Sequence, residues 1–372
     1  MPFKLNIHST LCCIGALLLL ALGSCMKWDY GSEEDFDSRA SGIFVLNEGN
    51  FQYGNASLSF YDPATRQVEN EIFYRANGMR LGDVAQSLTL YGGRGWIVVN
   101  NSHVIFAFDL SNYRETGRIT DLTSPRYIHF VSDRKAYVTQ LWDNRIAVID
   151  PQTYSVTSYI EVDGMDSETA STEQMVSLGR YVYVSCWSYQ DEVLKIDSET
   201  DRIVGRVTVG LQPRSLVVDR YGRLWTLCDG GYEGSPTGSG QPTLHCIEPE
   251  TMTVLESFSF RKSDRVAGLC LNGAGDRLYW INDGVWSMSV DARRLPVRPV
   301  IKGGETLFYS MAVDPVSGEI YVADAIDYQQ PGVISRYTAD GVFVDSFEAG
   351  INPTQMVWCD AADYQTFNLR KP

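Results

Sequence analysis

The sequence predicts an all-β fold, a seven-bladed β-propeller of four-stranded blades closed by the C-terminal strand completing the first blade. Three observations predict it. One phrase of strand, turn, strand, loop, strand, turn, strand recurs along the chain at a spacing of about 40–50 residues, the period of a propeller blade. Its strand runs are short, rich in β-branched and aromatic residues, and alternate with a period of two. The two ends of the array are complementary fragments of one phrase.

The copy over 124–162 is clearest. Ser124-Pro125-Arg126 opens a run to Val131, Asp133-Arg134-Lys135 turns into Ala136-Tyr137-Val138-Thr139, and a loop leads to Arg145-Ile146-Ala147-Val148-Ile149-Asp150. Pro151-Gln152-Thr153 turns again, and a fourth run covers 156–162. Equivalent phrases span 83–120, 172–210, 212–260, 265–302 and 307–350. Asp62, Asp109, Asp150 and Asp197 close successive third strands and are expected to cap the turns that follow. The first copy, 42–73, carries second, third and fourth strands at 43–46, 56–62 and 68–73 but no first. The last segment, 352–359, reads as a first strand with nothing after it. Pairing the two closes the ring and removes exposed sheet edges. Helix signals are absent apart from weak local turns.

Ahead of the repeats, Lys4 and the apolar run 11–22 end in Leu22-Gly23-Ser24-Cys25. The run is too short for a membrane span of about 20 apolar residues and suits a signal-peptide core. The tetrapeptide resembles the bacterial lipobox, which implies acylation of Cys25 and cleavage before it. The expected organisation is a signal peptide over 1–24, an acidic tether over 25–41 and the propeller over 42–372. The tether also resembles acidic signals that send lipoproteins to the outer face of the outer membrane. The net charge is −15, more negative still once Lys4 leaves, which disfavours nucleic acid and anionic headgroups as partners. After cleavage Cys186, Cys228, Cys246, Cys270 and Cys359 remain besides Cys25. No C-x-x-C pair occurs, so these five read as small buried hydrophobes rather than metal ligands.

The blade texture resembles the YncE-like propellers over nearly the whole mature chain. Closer resemblance is to the BtuG-type surface lipoproteins. It rests on Leu46-Asn47-Glu48-Gly49-Asn50, Gly54-Asn55-Ala56-Ser57-Leu58, Leu81-Gly82-Asp83-Val84-Ala85-Gln86-Ser87, Asn100-Asn101-Ser102, Ser124-Pro125-Arg126-Tyr127 and Thr172-Glu173-Gln174-Met175. That resemblance implies binding of a corrinoid of the vitamin B12 type as ligand, not cofactor. It also implies transfer to a TonB-dependent outer-membrane transporter from a lipid-anchored, surface-exposed position.

In a propeller the loop between second and third strands shares a face with the link into the next blade. The loops gathered on that face hold an unusual number of large aromatics, which loops rarely carry without a binding role. Phe51, Tyr53, Trp142, Trp187, Tyr189 and Tyr328 are expected as apolar walls, with Asn101, Arg126, Glu173, Gln174 and Arg214 as polar partners of peripheral amides and phosphate. Arg126 and Arg214 follow Pro at equivalent positions and serve equally well as bridges between blades through backbone carbonyls. The glycine-rich insertion 229–241 carries Tyr232 near its base. An oligosaccharide or a protein partner fits the same inventory. Of the histidines past the signal, His129 and His245 fall on strands, where packing is the usual role. No nucleophile-elbow, zinc-protease or phosphate-loop motif occurs. The chain is therefore expected to have no catalytic residues, no metal and no enzymatic activity, with a metal-dependent hydrolase using Asp83 and Glu173 as the minority alternative.

Overall fold

A computed structural model describes residues 41–360 except 167 and 170, together with 363. Cys25, the expected signal segment and the expected tether up to residue 40 lie outside the described residues, while Ser41, expected as the tether's last residue, opens a strand. Seven four-stranded antiparallel sheets follow one another round a ring. Blade 1 is built from Pro353–Asp360, Ser41–Asn47, Ser57–Asp62 and Gln67–Glu69, reading from the axis outward. Blade 2 runs from Ala85–Tyr91 to Glu115–Ile119, blade 3 from Pro125–Ser132 to Ser155–Glu161, and blade 4 from Thr172–Leu178 to Arg202–Thr208. Blade 5 runs from Pro213–Val218 to Thr253–Ser259, blade 6 from Ala267–Leu271 to Ile301–Lys302, and blade 7 from Phe308–Val313 to Phe343–Ile351.

Ring closure follows the expected register. Ile43 faces Trp358, Phe44 faces Val357, Val45 faces Met356 and Leu46 faces Gln355. Backbone bonds from Glu48 to Asn352 and from Gly49 to Ile351 extend the seam to the mouth, where Asn352 Nδ2 also donates to Gly49 O at 2.8 Å. Tyr61 stacks on Phe347 across blades 1 and 7 with centroids 3.9 Å apart.

Each blade packs both faces against neighbours, so the middle strands lose the alternation that the period-two reading expected. Ile43 to Leu46 and Trp96 to Val99 are buried at every position. Outer strands keep the alternation, as in Arg202–Thr208, because one face meets water. A large aromatic sits in the second strand of each of blades 2 to 7, at Trp96, Tyr137, Tyr183, Trp225, Tyr279 and Tyr321, and all six are buried. The asparagine-like turn caps form where expected: Asp62, Asp109, Asp150 and Asp197 each accept the N–H two residues on, at 2.8 to 3.0 Å. Cys186, Cys228, Cys246 and Cys359 are free and buried, and Cys270 is free and half-buried.

One element differs from the expectation. The run 68–73 was expected as a strand, but it stops at Glu69 and a short helix covers Ile72–Asn77. The helix buries Phe73 against Phe106 and Phe108 of blade 2. Asn77 Nδ2 donates to Tyr113 O at 2.9 Å and its Oδ1 accepts from Glu115 N at 2.7 Å, which fixes the plug between blades.

His129, on the innermost strand of blade 3, touches Ser177 Oγ of blade 4. Burial lowers its pKa from 6.5 to about 4. The unfolded chain therefore binds a proton here that the folded one refuses between those values. The neutral ring's contribution is fully present above about pH 6.5 and is lost as pH falls toward 4. Urea midpoints at pH 7.5 and pH 4.5 should differ more for the natural chain than for His129→Gln; an equal difference would remove the histidine from the acid response.

Candidate functional site

Every innermost strand slips by one residue just inside the mouth. The ladder shifts between 85 and 87, 125 and 128, 172 and 175, 213 and 215, 267 and 270, 308 and 310, and at 353–355. A bulge of this kind re-aims a side chain. The residues at the slips, Gln86, Arg126, Glu173, Arg214, Gly268, Tyr309 and Thr354, all line one cavity of about 1360 Å³ at the propeller mouth.

The ring positions differ in what they hold. Arg126 donates from Nε and Nη2 to both Glu173 oxygens at 2.8 and 2.7 Å, and both side chains are buried. Arg214 is half-exposed, 3.9 Å from Asp229 Oδ2. The Trp187 ring lies against both guanidiniums, 5.3 Å from Arg126 and 5.1 Å from Arg214, and its Nε1 donates to Asp229 Oδ2 at 3.1 Å. Tyr309 OH donates to Glu48 Oε2. Burial raises the Glu48 pKa above the usual carboxylate value, opposed by that hydrogen bond and by the charges of Arg126 and Arg214. Burial likewise raises Asp229, opposed by the Gly231 N–H, Arg214 and Trp187.

The wall has two arcs. Glu48, Gln86, Arg126, Glu173, Arg214 and Asp229 make one side polar. Val266, Leu269, Leu271, Ile281, Met311 and Val313, from blades 6 and 7, make the other apolar.

Of the residues singled out from sequence, Arg126, Trp142, Glu173, Gln174, Trp187, Tyr189, Arg214 and Tyr328 line the cavity. Phe51 and Tyr53 stand on the blade 1 loop, 63% and 78% exposed, outside that lining. Asn101 donates to Asp83, which also accepts from Gln52 N at 2.8 Å and so ties the blade 1 loop to blade 2. Among the described residues neither arginine side chain reaches a backbone carbonyl of the next blade; Arg126 bridges to blade 4 through Glu173 instead. Glutamines bridge through the backbone: Gln174 Oε1 accepts from Leu216 N at 3.0 Å, and Gln355 Oε1 accepts from Leu88 N at 2.7 Å. Tyr189 and Tyr232 meet through their hydroxyls at 2.9 Å, placing the base of the 229–241 insertion beside the rim. Trp142, Tyr189 and Tyr328 share left-handed backbone, with φ of 63°, 62° and 63°. Bulky side chains rarely adopt it, at a cost of about 1–3 kcal/mol each. Glu48 and Tyr309 stand in segments that the sequence places at the mouth but are not among the residues expected to touch a ligand; extending the Arg126–Glu173–Arg214 alignment through all seven copies picks out Tyr309. Among the described residues no three His, Cys, Asp or Glu side chains gather as an ion's ligands.

Solved structures of other proteins share the ring. A protein from Lactobacillus plantarum aligns over 86% of this chain and 100% of its own, with 13% identity and a TM-score of 0.66. The periplasmic gluconolactonase of Pseudomonas aeruginosa covers 86% of this chain and 99% of its own, at 15% identity and TM-score 0.64. A quinonprotein alcohol dehydrogenase-like protein from Bacteroides thetaiotaomicron covers 88% and 79%, at 14% identity and TM-score 0.63. These identities establish the fold alone. They correct one expectation all the same: the chain was read as having no enzymatic activity for want of familiar motifs, yet this architecture includes a gluconolactonase, so missing motifs do not exclude a hydrolase. No curated protein matches the sequence. A family model described as a domain of unknown function, DUF5074, matches residues 41–340.

Proposed function

We propose, for a chain that belongs to the DUF5074 family, that the propeller mouth binds a corrinoid of the vitamin B12 type. In this reading Cys25 carries a lipid that holds the protein at the outer membrane, and the ligand passes to a TonB-dependent transporter. The observation that carries it is the two-arc cavity of about 1360 Å³. A ligand with a flat apolar body and peripheral amides needs apolar wall and hydrogen-bonding groups together. The strained aromatics on its rim support a binding role, since such backbone persists where the surroundings enforce it.

Calorimetry with cyanocobalamin tests this. Heat of binding is expected, and Trp187→Ala should weaken it by about 2 kcal/mol, the loss typical of a central aromatic anchor. Tyr232→Ala should cost less. Absence of heat with cyanocobalamin, alongside binding of a glycan, would replace the corrinoid with a carbohydrate.

A second reading is favoured by the Glu48–Tyr309 pair. A half-buried carboxylate made more basic by its surroundings can take a proton from water as the oxygen adds to a lactone carbonyl, and the carboxylic acid so formed can return it to the ring oxygen as the ester bond breaks. Release of acid from gluconolactone, abolished in Glu48→Gln, would support it.

A further inference from the structure

Of the two arginines at the slip positions, Arg214 lacks a hydrogen-bonded acid among the described residues, while Lys262 and Arg265 line the cavity from the exposed link into blade 6. Arg126 is matched by Glu173 in the next blade, but the next ring position after Arg214 is Gly268, which offers no acid. Among the described residues the Arg214 guanidinium makes no hydrogen bond, and its contacts are Asp229 at 3.9 Å and the Trp187 ring at 5.1 Å. Asp229 is itself occupied by Trp187 Nε1 at 3.1 Å and Gly231 N at 2.8 Å. The Arg214 side chain remains 45% exposed, toward a walled cavity. A planar fork of N–H donors whose nearest carboxylate stands beyond hydrogen-bond distance matches a carboxylate or phosphate in bidentate fashion.

Round the ring, past Lys262 and Arg265 in the link, the strand wall of blade 6 becomes apolar. Gly268 holds φ +66, and a Cβ built on it would lie 3.3 Å from Met311 and 3.4 Å from Ile281. Without that side chain, Met311 and Ile281 stay part of the lining, beside Val266 and Leu269. Arg214 and the apolar arc thus stand on adjacent blades.

We propose that the mouth takes an amphipathic organic oxyanion, its carboxylate or phosphate on Arg214 and its apolar body on the arc opened by Gly268. This rests on the mouth being a ligand site and deepens that reading by naming the ligand's chemistry. Phenyl phosphate and benzoate, titrated calorimetrically into the full-length protein, distinguish the two anion sources. Inorganic phosphate and benzyl alcohol each present half of the recognised feature. At least one aromatic anion is expected to bind about tenfold or more tighter than either half-ligand, and Arg214→Gln to weaken it about tenfold or more, the loss of a charge-assisted hydrogen bond. Arg214→Lys should recover only part, because a point charge replaces the fork. Binding unchanged in Arg214→Gln, phosphate alone binding as tightly as phenyl phosphate, or no binding of either aromatic anion would each overturn the proposal. Cyanocobalamin titrated in parallel separates the two claims. Equal affinity for the natural chain and Arg214→Gln overturns the oxyanion seat and leaves the corrinoid reading standing. Arg214-dependent binding of the aromatic anions without cyanocobalamin binding does the reverse.

Discussion

A chain ending at Gly350 is expected to lose its cooperative unfolding transition. The truncation removes Pro353–Asp360, the innermost strand of blade 1, and with it the buried side chains Met356 and Cys359 and the contact of Trp358 with Tyr321. Burial of large side chains stabilises by about 1.5–3 kcal/mol each, and a whole domain is stable by only about 5–15 kcal/mol. The loss is larger than those side chains alone, because Ile43, Phe44, Val45 and Leu46 would present unpaired backbone on an apolar edge strand. Such an edge invites pairing between molecules. Circular dichroism melting and size-exclusion chromatography are the measurements, with aggregation or a broad, non-cooperative melt as the expected result. A truncated chain that melts sharply at the temperature of the full one would show that the ring does not depend on this seam.

Removing one member of the Arg126–Glu173 pair should be nearly as damaging. Both side chains are buried, 8% and 2% exposed, and they meet through two hydrogen bonds. Glu173→Leu leaves a guanidinium in the wall without its acceptor, a change that costs about 3–5 kcal/mol in buried pairs. Replacing both, as Arg126→Met with Glu173→Leu, should restore much of that stability, because no charge is left uncompensated. Urea unfolding of the two single variants and the double one measures the coupling. Additive losses would mean that the pair is solvated through the cavity and acts as two independent surface charges.

The strand pattern and the complementary ends were enough to lay out the blades and the seam, because each repeat carries its own turn chemistry. Asp109 and Ser111, or Asp150 and Gln152, are near neighbours in the chain, and their bond is decided locally. The helix at Ile72–Asn77 was not legible: six residues show no periodicity, and what selects the helix is the burial of Phe73 against another blade. The mouth was legible as a set of positions and illegible as a set of bonds. Arg126 and Arg214 look interchangeable along the chain, yet one is locked and the other open. The difference is made by the following blade, which supplies Glu173 in one case and Gly268 in the other. Asn101 failed to reach the cavity for a similar reason, since Asp83 holds it.

The register that places Asn47 opposite Pro353 also orders events in time. The two strands of this seam come from opposite ends of the repeat array, so their pairing has a very high sequence separation and incurs a large chain-closure entropy. Blades 2 to 7 can form from local hairpins as they emerge, but Ser41–Asn47, made first, must wait for a partner made last. During that interval an apolar strand edge is exposed. The slow step in maturation is thus expected to be the last one, and conditions that delay it should favour association of half-closed rings over completed monomers.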